Sequence, residues 1–537
     1  MAKYYIGFDC GTQSAKTALY RDDMVCMAKT QIATNLKCPK PEWLEMDVDD
    51  YLNGVIEGIK YCIETSGINP NDIRAICGDG VICGIVGVDK DLNPITPYIN
   101  YLDSRTKEDA KWLNENVEDI WASESGNAYV DSFYPPLFAR WFLKNVEGFK
   151  ENGAKLLNNG PYVLAKLAGL KADDAFIDWA TISGWALGYD VINKKWSERQ
   201  MELLEIPMNM LPKIVKPWDI VGKLCDEMAE KLGIPSGIPI VAGAGDTMQS
   251  NIACGVMEPN MASDVAGTCA MFTVTTDGIN EKLSTKDSGL IFCSGTLPDT
   301  YFYWGYIRTG GLSLRWFRDN VCDKVDDSKY YDELQERAQK VKPGCDGVLF
   351  LPYLQGGSVG IENASGAFLN LTTNTDQGIM WRAVLEAIGY DYIYVADMYR
   401  AAGCNLDKII VTEGGSKSSL WNQIKADMLG SEVVTLQNVE GAVLSDAILA
   451  AYAVGDIDDL KKAYNSKLND IMDKKQIQEL DKEKITSNDV INIAKSSKSL
   501  IGQASSDSQK IDLSGYLVSL DDLNHNTTDT VKNEIYE

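Results

Sequence analysis

Two stretches constrain this chain before any other. "GFDCGTQSAKTALY" (7–20) and "SDVAGTCAMFTVTT" (263–276) follow one plan: an apolar approach, a tight Gly-Thr turn, then a second apolar run. Aromatic and β-branched runs on both sides of a Gly-containing turn predict paired strands. The same plan twice, half a chain apart, points to a duplicated α/β domain. At 537 residues the chain is also too long for one ordinary core, so size alone predicts two large domains.

The segments between the turns extend this reading. "KYYIGFD" (3–9) and "KTALY" predict strands, 21–23 a turn, and "MVCMAKTQIA" (24–33) a third strand. Residues 47–67 predict a helix with Tyr51, Val55, Ile59 and Cys62 on one stripe and Asp47 or Asp49 as cap. "IRAICGDGVICGIVGVDKD" (73–91) predicts strand, turn, strand. In the second half, 378–403 predicts a helix, "KIIVTEGGS" a strand and "LWNQIKADMLG" a helix. The expected division is 1–250, 251–456, and a charged helix with a loosely attached polar tail over 457–537.

Composition narrows the chemistry. The single histidine, His525, lies near the end of the chain, so a central active site would move protons on carboxylates. A net charge of −26 argues against nucleic acid or an anionic membrane as partner. Thirteen scattered cysteines with no C-x-x-C pair suit reduced thiols in the cytoplasm, and zinc is not expected. The start "MAKYYIGFDCG" lacks the apolar core of a signal peptide. No stretch reaches the roughly 18 apolar residues of a membrane span.

A turn of small residues presents backbone N–H groups, and a Thr hydroxyl adds a donor, which suits phosphate oxygens. Two facing hairpins, at Gly11-Thr12 and Gly267-Thr268, can grip one nucleotide from both sides. "TEGGSKSSLWNQ" (412–423) is a third Gly-rich turn, flat enough for a nucleoside. The chain has no G-x-x-x-x-G-K-[ST] phosphate loop. Asp9 ends the first strand beside its Gly-Thr turn, either as a water-bridged Mg²⁺ ligand or as a turn cap. "GAGDTMQSN" (243–251) sets Asp246 at a strand end, as general base for an attacking hydroxyl, as a helix cap, or as both.

Together these segments resemble the FGGY carbohydrate kinases, whose fold is α/β: two actin-like, ribonuclease-H-like ATPase domains with a nucleotide and sugar cleft between them. The resemblance covers about residues 3–456. "GFDCGTQSAK" resembles the first phosphate loop, "GAGDTMQSNIACG" the catalytic-aspartate segment and "DVAGTCAMF" the second phosphate loop. "TGGLSLRWFRD" and "EGGSKSSLWNQIKADMLG" resemble the nucleotide-side segments, and "EGAVLSDAILAAYAVG" the closing helix. The segments 133–145 and 366–386 resemble the two family signatures, with Phe138 for the usual Lys, Asn370 for Gly and Ile379 for a polar residue.

The resemblance implies ATP and Mg²⁺, with Asp246 as base. Asp9 (through water) and Asp246 would hold the metal, and Gly11, Thr12, Gln13, Lys16, Gly267 and Thr268 the phosphates. Gly311, Gly414, Gly415 and Ser419 would line the nucleoside. It implies a small sugar or polyol as the partner molecule and leaves a homodimer open. For the sugar, Trp43 in "PEWLEMD" and Asp103 and Arg105 in "YLDSRT" resemble xylulose-kinase segments; core packing and a surface ion pair are their alternatives. Asp79, Ile82 and Cys83 lie in "GDGVICG" (78–84), which has Val81, Ile82 and Cys83 where xylulose kinases carry Gln, Met and His. Asp79 and Cys83 are placed instead as in ribulose kinases, and Thr247 follows the base. The expected reaction is phosphorylation of a ketopentose, xylulose-like first and ribulose-like or another ketose or polyol second. A chaperone or filament ATPase, and a regulator that has lost catalysis, are the rival readings.

Overall fold

The first hairpin forms as its alternating residues require. Strands β1 (Tyr4–Cys10) and β2 (Ser14–Arg21) pair antiparallel with Asp9 opposite Lys16, and β3 (Cys26–Ala33) continues the meander. Helix α1 (Val48–Ser66) starts where the Asp47 carboxylate accepts the Asp49 N–H, and ends at Gly67 in the left-handed region. Its stripe of Tyr51, Val55, Ile59 and Cys62 is buried. Strands β4 (Ile73–Gly80), β5 (Ile220–Lys223) and β6 (Pro239–Val241) complete a six-stranded sheet in the order β5–β6–β4–β1–β2–β3. The computed structural model describes residues 2–117, 120–354, 364–436 and 441–473.

Helix α2 (Asp246–Ala253) follows β6 and runs across the expected division at 250/251. The second half then repeats the first. Strands β7 (Ala262–Ala266) and β8 (Ala270–Thr276) form the second hairpin, extended by β9 (Ile291–Ser294) and β10 (Tyr301–Ile307). After helices α3 (Gly310–Trp316) and α4 (Gln377–Ala401) come β11 (Lys408–Thr412), α5 (Ser419–Leu429) and β12 (Glu432–Thr435). The sheet order is β9–β10–β8–β7–β11–β12. Counting the hairpin, two antiparallel pairs run to one edge of the first sheet and three to one edge of the second; two parallel pairs lead the other way in each, and in the first an antiparallel pair, β5 with β6, closes that side.

Helix α6 (Gly441–Ala453) belongs to the second half in sequence but packs on the first sheet, with Ala447 and Ile448 among Tyr5, Ala18, Ala75, Cys77 and Val241. It also meets α2: Gln249 donates to the Asp446 carboxylate at 2.6 Å, and the Ser445 hydroxyl to the Gln249 carbonyl at 3.0 Å. A pair of helices thus ties the two halves together, beside contacts such as the Asn127 side chain with the Phe292 backbone. Helix α7 (Leu460–Asp473) opens by burying Leu460 and Tyr464, whose hydroxyl donates to the Ser445 carbonyl. The tail expected beyond it lies outside the described residues.

The family-signature departures have local explanations. Phe138 is fully buried in the helix Pro135–Asn145, where a lysine would leave its charge without water. Asn370 stands at φ 59°, the left-handed region that Gly and Asn tolerate best, so the two exchange at little cost. Ile379 sits in the first turn of α4 and packs against the core.

Candidate active site

The turn of the first hairpin carries Gly11, Thr12 and Gln13. Its Cys10 carbonyl accepts from the Asn159 side chain at 2.8 Å, which fixes the base of the turn. The Thr12 hydroxyl meets the Tyr101 hydroxyl at 3.0 Å. Lys16 reaches back along the hairpin to Asp9, 2.9 Å away, and the Asp9 carboxylate is the main cause that raises the lysine's pKa. About half of the Lys16 side chain stays exposed, so its charge remains open to the cleft.

Asp246 is the first residue of α2. The chain reaches it through Gly243, whose φ of 73° and close approach admit only glycine: a Cβ there would lie 1.9 Å from the Gly78 carbonyl. The Thr247 N–H and hydroxyl both donate to Asp246 Oδ1, at 2.6 and 3.2 Å. The cleft reaches the carboxyl, but protein walls it on the other sides. Burial, then the Asp9 charge, push its pKa up to about 7, against the pull of the Thr247 donors and Lys16. A carboxylate poised there can accept a hydroxyl proton near neutral pH.

Asp79 lies opposite Asp9 on the parallel strand β4 and is 1% exposed. Among the described residues neither of its oxygens has a hydrogen-bond donor, and Asp9 Oδ1 and Asp446 Oδ2 also lack one. Burial, then the Asp446, Asp9 and Asp246 charges, push its pKa well above the usual carboxylate range. Ile82 and Cys83 follow, both buried; the Cys83 thiol donates to the Gly184 carbonyl at 3.3 Å rather than facing open space.

The second hairpin brings Gly267 and Thr268 to the opposite wall. Gly311 stands against this hairpin: its N–H donates to the Gly267 carbonyl at 3.0 Å, and Leu312 N–H to the Thr268 carbonyl at 2.7 Å. The start of α3 therefore braces the hairpin. A cavity of about 300 Å³ lies beside it, lined by Ser250, Cys254, Thr412, Glu413, Gly414 and Lys417 among others. Of the expected nucleoside residues only Gly414 lines that cavity. Gly415 packs under Ala266 and Trp421, and Ser419 opens α5 behind it.

Trp43, Asp103 and Arg105 form one cluster. The Arg105 guanidinium lies between the Trp43 and Trp141 rings, 4.1 and 4.6 Å from their centres, and pairs with Asp103 and Glu45 at 2.8 Å. Asp103 also accepts the Leu44 N–H. These polar groups hold the hairpin Leu36–Met46 to the loop after Tyr98–Asn100. Tyr101, Met271 and Asp446 stand near the site inside segments quoted above for other residues. Only Asp446 leaves a trace, as an acidic break in an apolar run. Among the described residues no helix is long and apolar enough to cross a membrane.

Known proteins with this arrangement are sugar kinases. The models for the N-terminal and C-terminal domains of the FGGY family of carbohydrate kinases match residues 4–253 and 263–454. The chain is 26% identical over 467 residues to a gluconokinase of Bacillus subtilis, covering 85% of this chain and 89% of the other. It is 24% identical over 456 residues to a xylulose kinase of Staphylococcus xylosus, covering 83% and 90%. In fold it is similar to a ligand-bound xylulose kinase from Lactobacillus acidophilus, with TM-score 0.79 and 22% identity over 94% of this chain and 99% of that one. Matched in both halves, the chain belongs to the FGGY family of carbohydrate kinases and is an ATP-dependent phosphotransferase.

Proposed function

We propose that this kinase phosphorylates a terminal hydroxyl of a neutral ketose, a xylulose-like ketopentose first, with ribulose or another ketose or polyol next. The named relatives divide between gluconokinase and xylulose kinase, acting on an anionic and a neutral acceptor. The observation that carries the choice is charge. Asp79 and Asp246 stand close to the Asp9 and Asp446 carboxyls, and burial first raises the pKa of Asp79, of Asp446 and of Asp246, the last to about 7. An anionic acceptor would add a further negative charge to this cluster, whereas sugar hydroxyls would pair with its carboxyls whether these are ionised or protonated.

In this reading Asp246 takes the proton of the attacking hydroxyl while Thr247 holds the carboxyl in place. Lys16, Thr12 and Thr268 face the transferring phosphoryl group, with the N–H groups of both hairpin turns. Closure of the two halves excludes water. The unpartnered, buried Asp9 Oδ1 fits an anchor for Mg²⁺, which takes one or two carboxylates and completes its shell with water and phosphate oxygens. When bound, the ion would neutralise phosphate charge. The reading of the phosphate loops as a chaperone or filament ATPase gives way to the kinase match in both halves.

The test is ADP release with MgATP over xylulose, ribulose, other ketoses, glycerol and gluconate. One neutral ketose should raise turnover well above the sugar-free rate, and gluconate should not. Turnover with gluconate that exceeds every ketose would sink the neutral-acceptor reading.

A further inference from the structure

The Thr12 hydroxyl, at the first hairpin turn, lies 3.0 Å from the phenol oxygen of Tyr101. The two residues come from different sheets. Thr12 sits between β1 and β2, whereas Tyr101 follows the strand Tyr98–Asn100 of a five-stranded sheet. Among the described residues neither hydroxyl has another hydrogen-bond partner. Both side chains are only partly buried, so the contact borders the cleft.

Both sides of this contact are fixed. The Cys10 carbonyl accepts from Asn159 at 2.8 Å and the Gln13 carbonyl from the Thr34 N–H at 3.0 Å, so the Thr12 turn is tied at both ends. Across from it, the Leu102 N–H donates to Asn100 Oδ1 at 3.1 Å and the Asp103 N–H to the Asn100 carbonyl at 2.9 Å, closing a tight turn at Tyr101. Asp103 then takes the Leu44 N–H at 2.6 Å and pairs with the enclosed Arg105. A braced segment, not a free loop, therefore delivers the phenol to Thr12. Burial, against the pull of the Thr12 contact, raises its pKa to about 12, so it keeps its proton at neutral pH.

A threonine hydroxyl has one proton to give and two lone pairs. Toward a phosphate oxygen it must donate, yet a hydroxyl that rotates freely can point its proton elsewhere. A donor fixed on its oxygen occupies a lone pair, and linked hydrogen bonds polarise one another. Donors set in place beforehand are the ones that stabilise developing charge. We propose that Tyr101 is a positioning residue for phosphoryl transfer: its hydroxyl donates to Thr12 and so directs the Thr12 proton at the transferring group. The proposal rests on the reading of Thr12 given above and extends it to a residue outside the phosphate turns.

The experiment is a double-mutant cycle of Tyr101→Phe and Thr12→Val in the full chain, with MgATP and the acceptor that the wild type turns over best. Tyr101→Phe removes one oxygen and keeps the ring, so the melting temperature should not change. It should lower kcat about tenfold, the worth of one hydrogen bond, with KM for acceptor and for ATP within about twofold. Thr12→Val should lose at least as much. The double variant should be no slower than Thr12→Val alone, because the phenol then has no hydroxyl to direct. Losses that multiply in the double variant overturn the proposal, since Tyr101 would then act on something other than Thr12. So does a loss in Tyr101→Phe that lies wholly in the acceptor KM. If Thr12→Val keeps the wild-type kcat, the reading of Thr12 as a phosphate contact falls and the proposal falls with it. If Thr12→Val is slow and Tyr101→Phe is not, only the proposal falls.

Discussion

The two hairpins share a plan but not a chemistry. In the first, Asp9 pairs across the strands with Lys16; in the second, the positions next to the turn pair Val265 with Met271. The first therefore brings charge to the cleft and the second only backbone N–H groups and a Thr hydroxyl. Charge enters the second hairpin one layer back, where Asp264 on β7 pairs with Lys425 at 2.6 Å, both 1% exposed. There Tyr392 also donates to Asp264, and Lys425 stacks over the Trp421 ring. In the function proposed above, the duplicated scaffold supplies two phosphate grips, one reactive and the other held from behind.

The largest expected effect breaks this asymmetry at its charged side. Asp9→Asn should lower kcat by roughly 10³-fold, whereas Thr268→Val should lower it by only about 10-fold, because one removes charge and the other a single donor. Steady-state rates at saturating ATP and sugar check it. Equal losses would mean that the hairpins contribute alike. Lys425→Met comes next. It leaves Asp264 buried without its cation and should destabilise the chain by about 3 kcal/mol or more, seen in denaturant unfolding. A variant as stable as the wild type would show that the rear ion pair does not support the second hairpin.

The hairpins were legible because their signal is local. Alternation, a Gly-Thr turn and the Asp47 cap all act within a few residues, and β1, β2 and α1 form where those signals stand. Asp9 and Asp246 are legible as lone carboxylates at strand ends. What the sequence conceals is non-local. Asp446 is visible as a break in an apolar run, but its partners, Gln249 and the Asp79 side of the sheet, lie hundreds of residues away. "YLDSRT" displays an acid and a base two residues apart, but not that Trp43 and Trp141 enclose the base. Gly311 is legible as a cleft glycine, while its role as a brace depends on a close approach that only folding creates.

Asp246 sharpens the comparison through pH. Its pKa is raised on folding from 3.8 to about 7, so the folded state favours the protonated acid. That contribution to stability is fully present below about pH 4 and is lost as pH rises through 7. Asp246→Asn should therefore be more stable than the wild type at pH 8, by up to about 4 kcal/mol, with the gap closing toward pH 4. In the wild type, kcat/KM should fall about tenfold per unit below pH 7, since the base is then protonated. A flat profile between pH 5 and 8 would remove Asp246 as the titrating base.

The smallest effect isolates the second grip. A Cβ on Gly311 would lie 2.4 Å from the Gly267 carbonyl, too close for any real contact, and the obstacle is backbone rather than a flexible side chain. Gly311→Ala must therefore push α3 away from the hairpin, and the N–H bonds from Gly311 and Leu312 to the turn carbonyls lengthen. No charged group moves, and Asp9, Lys16 and Asp246 lie on the other side of the cleft. The loss should fall on nucleotide binding rather than on proton transfer: KM for ATP up about 10-fold, or ~1.4 kcal/mol, with kcat changed far less. Nucleotide titration beside steady-state kinetics separates the two. If kcat falls as steeply as ATP affinity, the second hairpin takes part in the chemical step, and the division between a reactive and a merely gripping half is wrong.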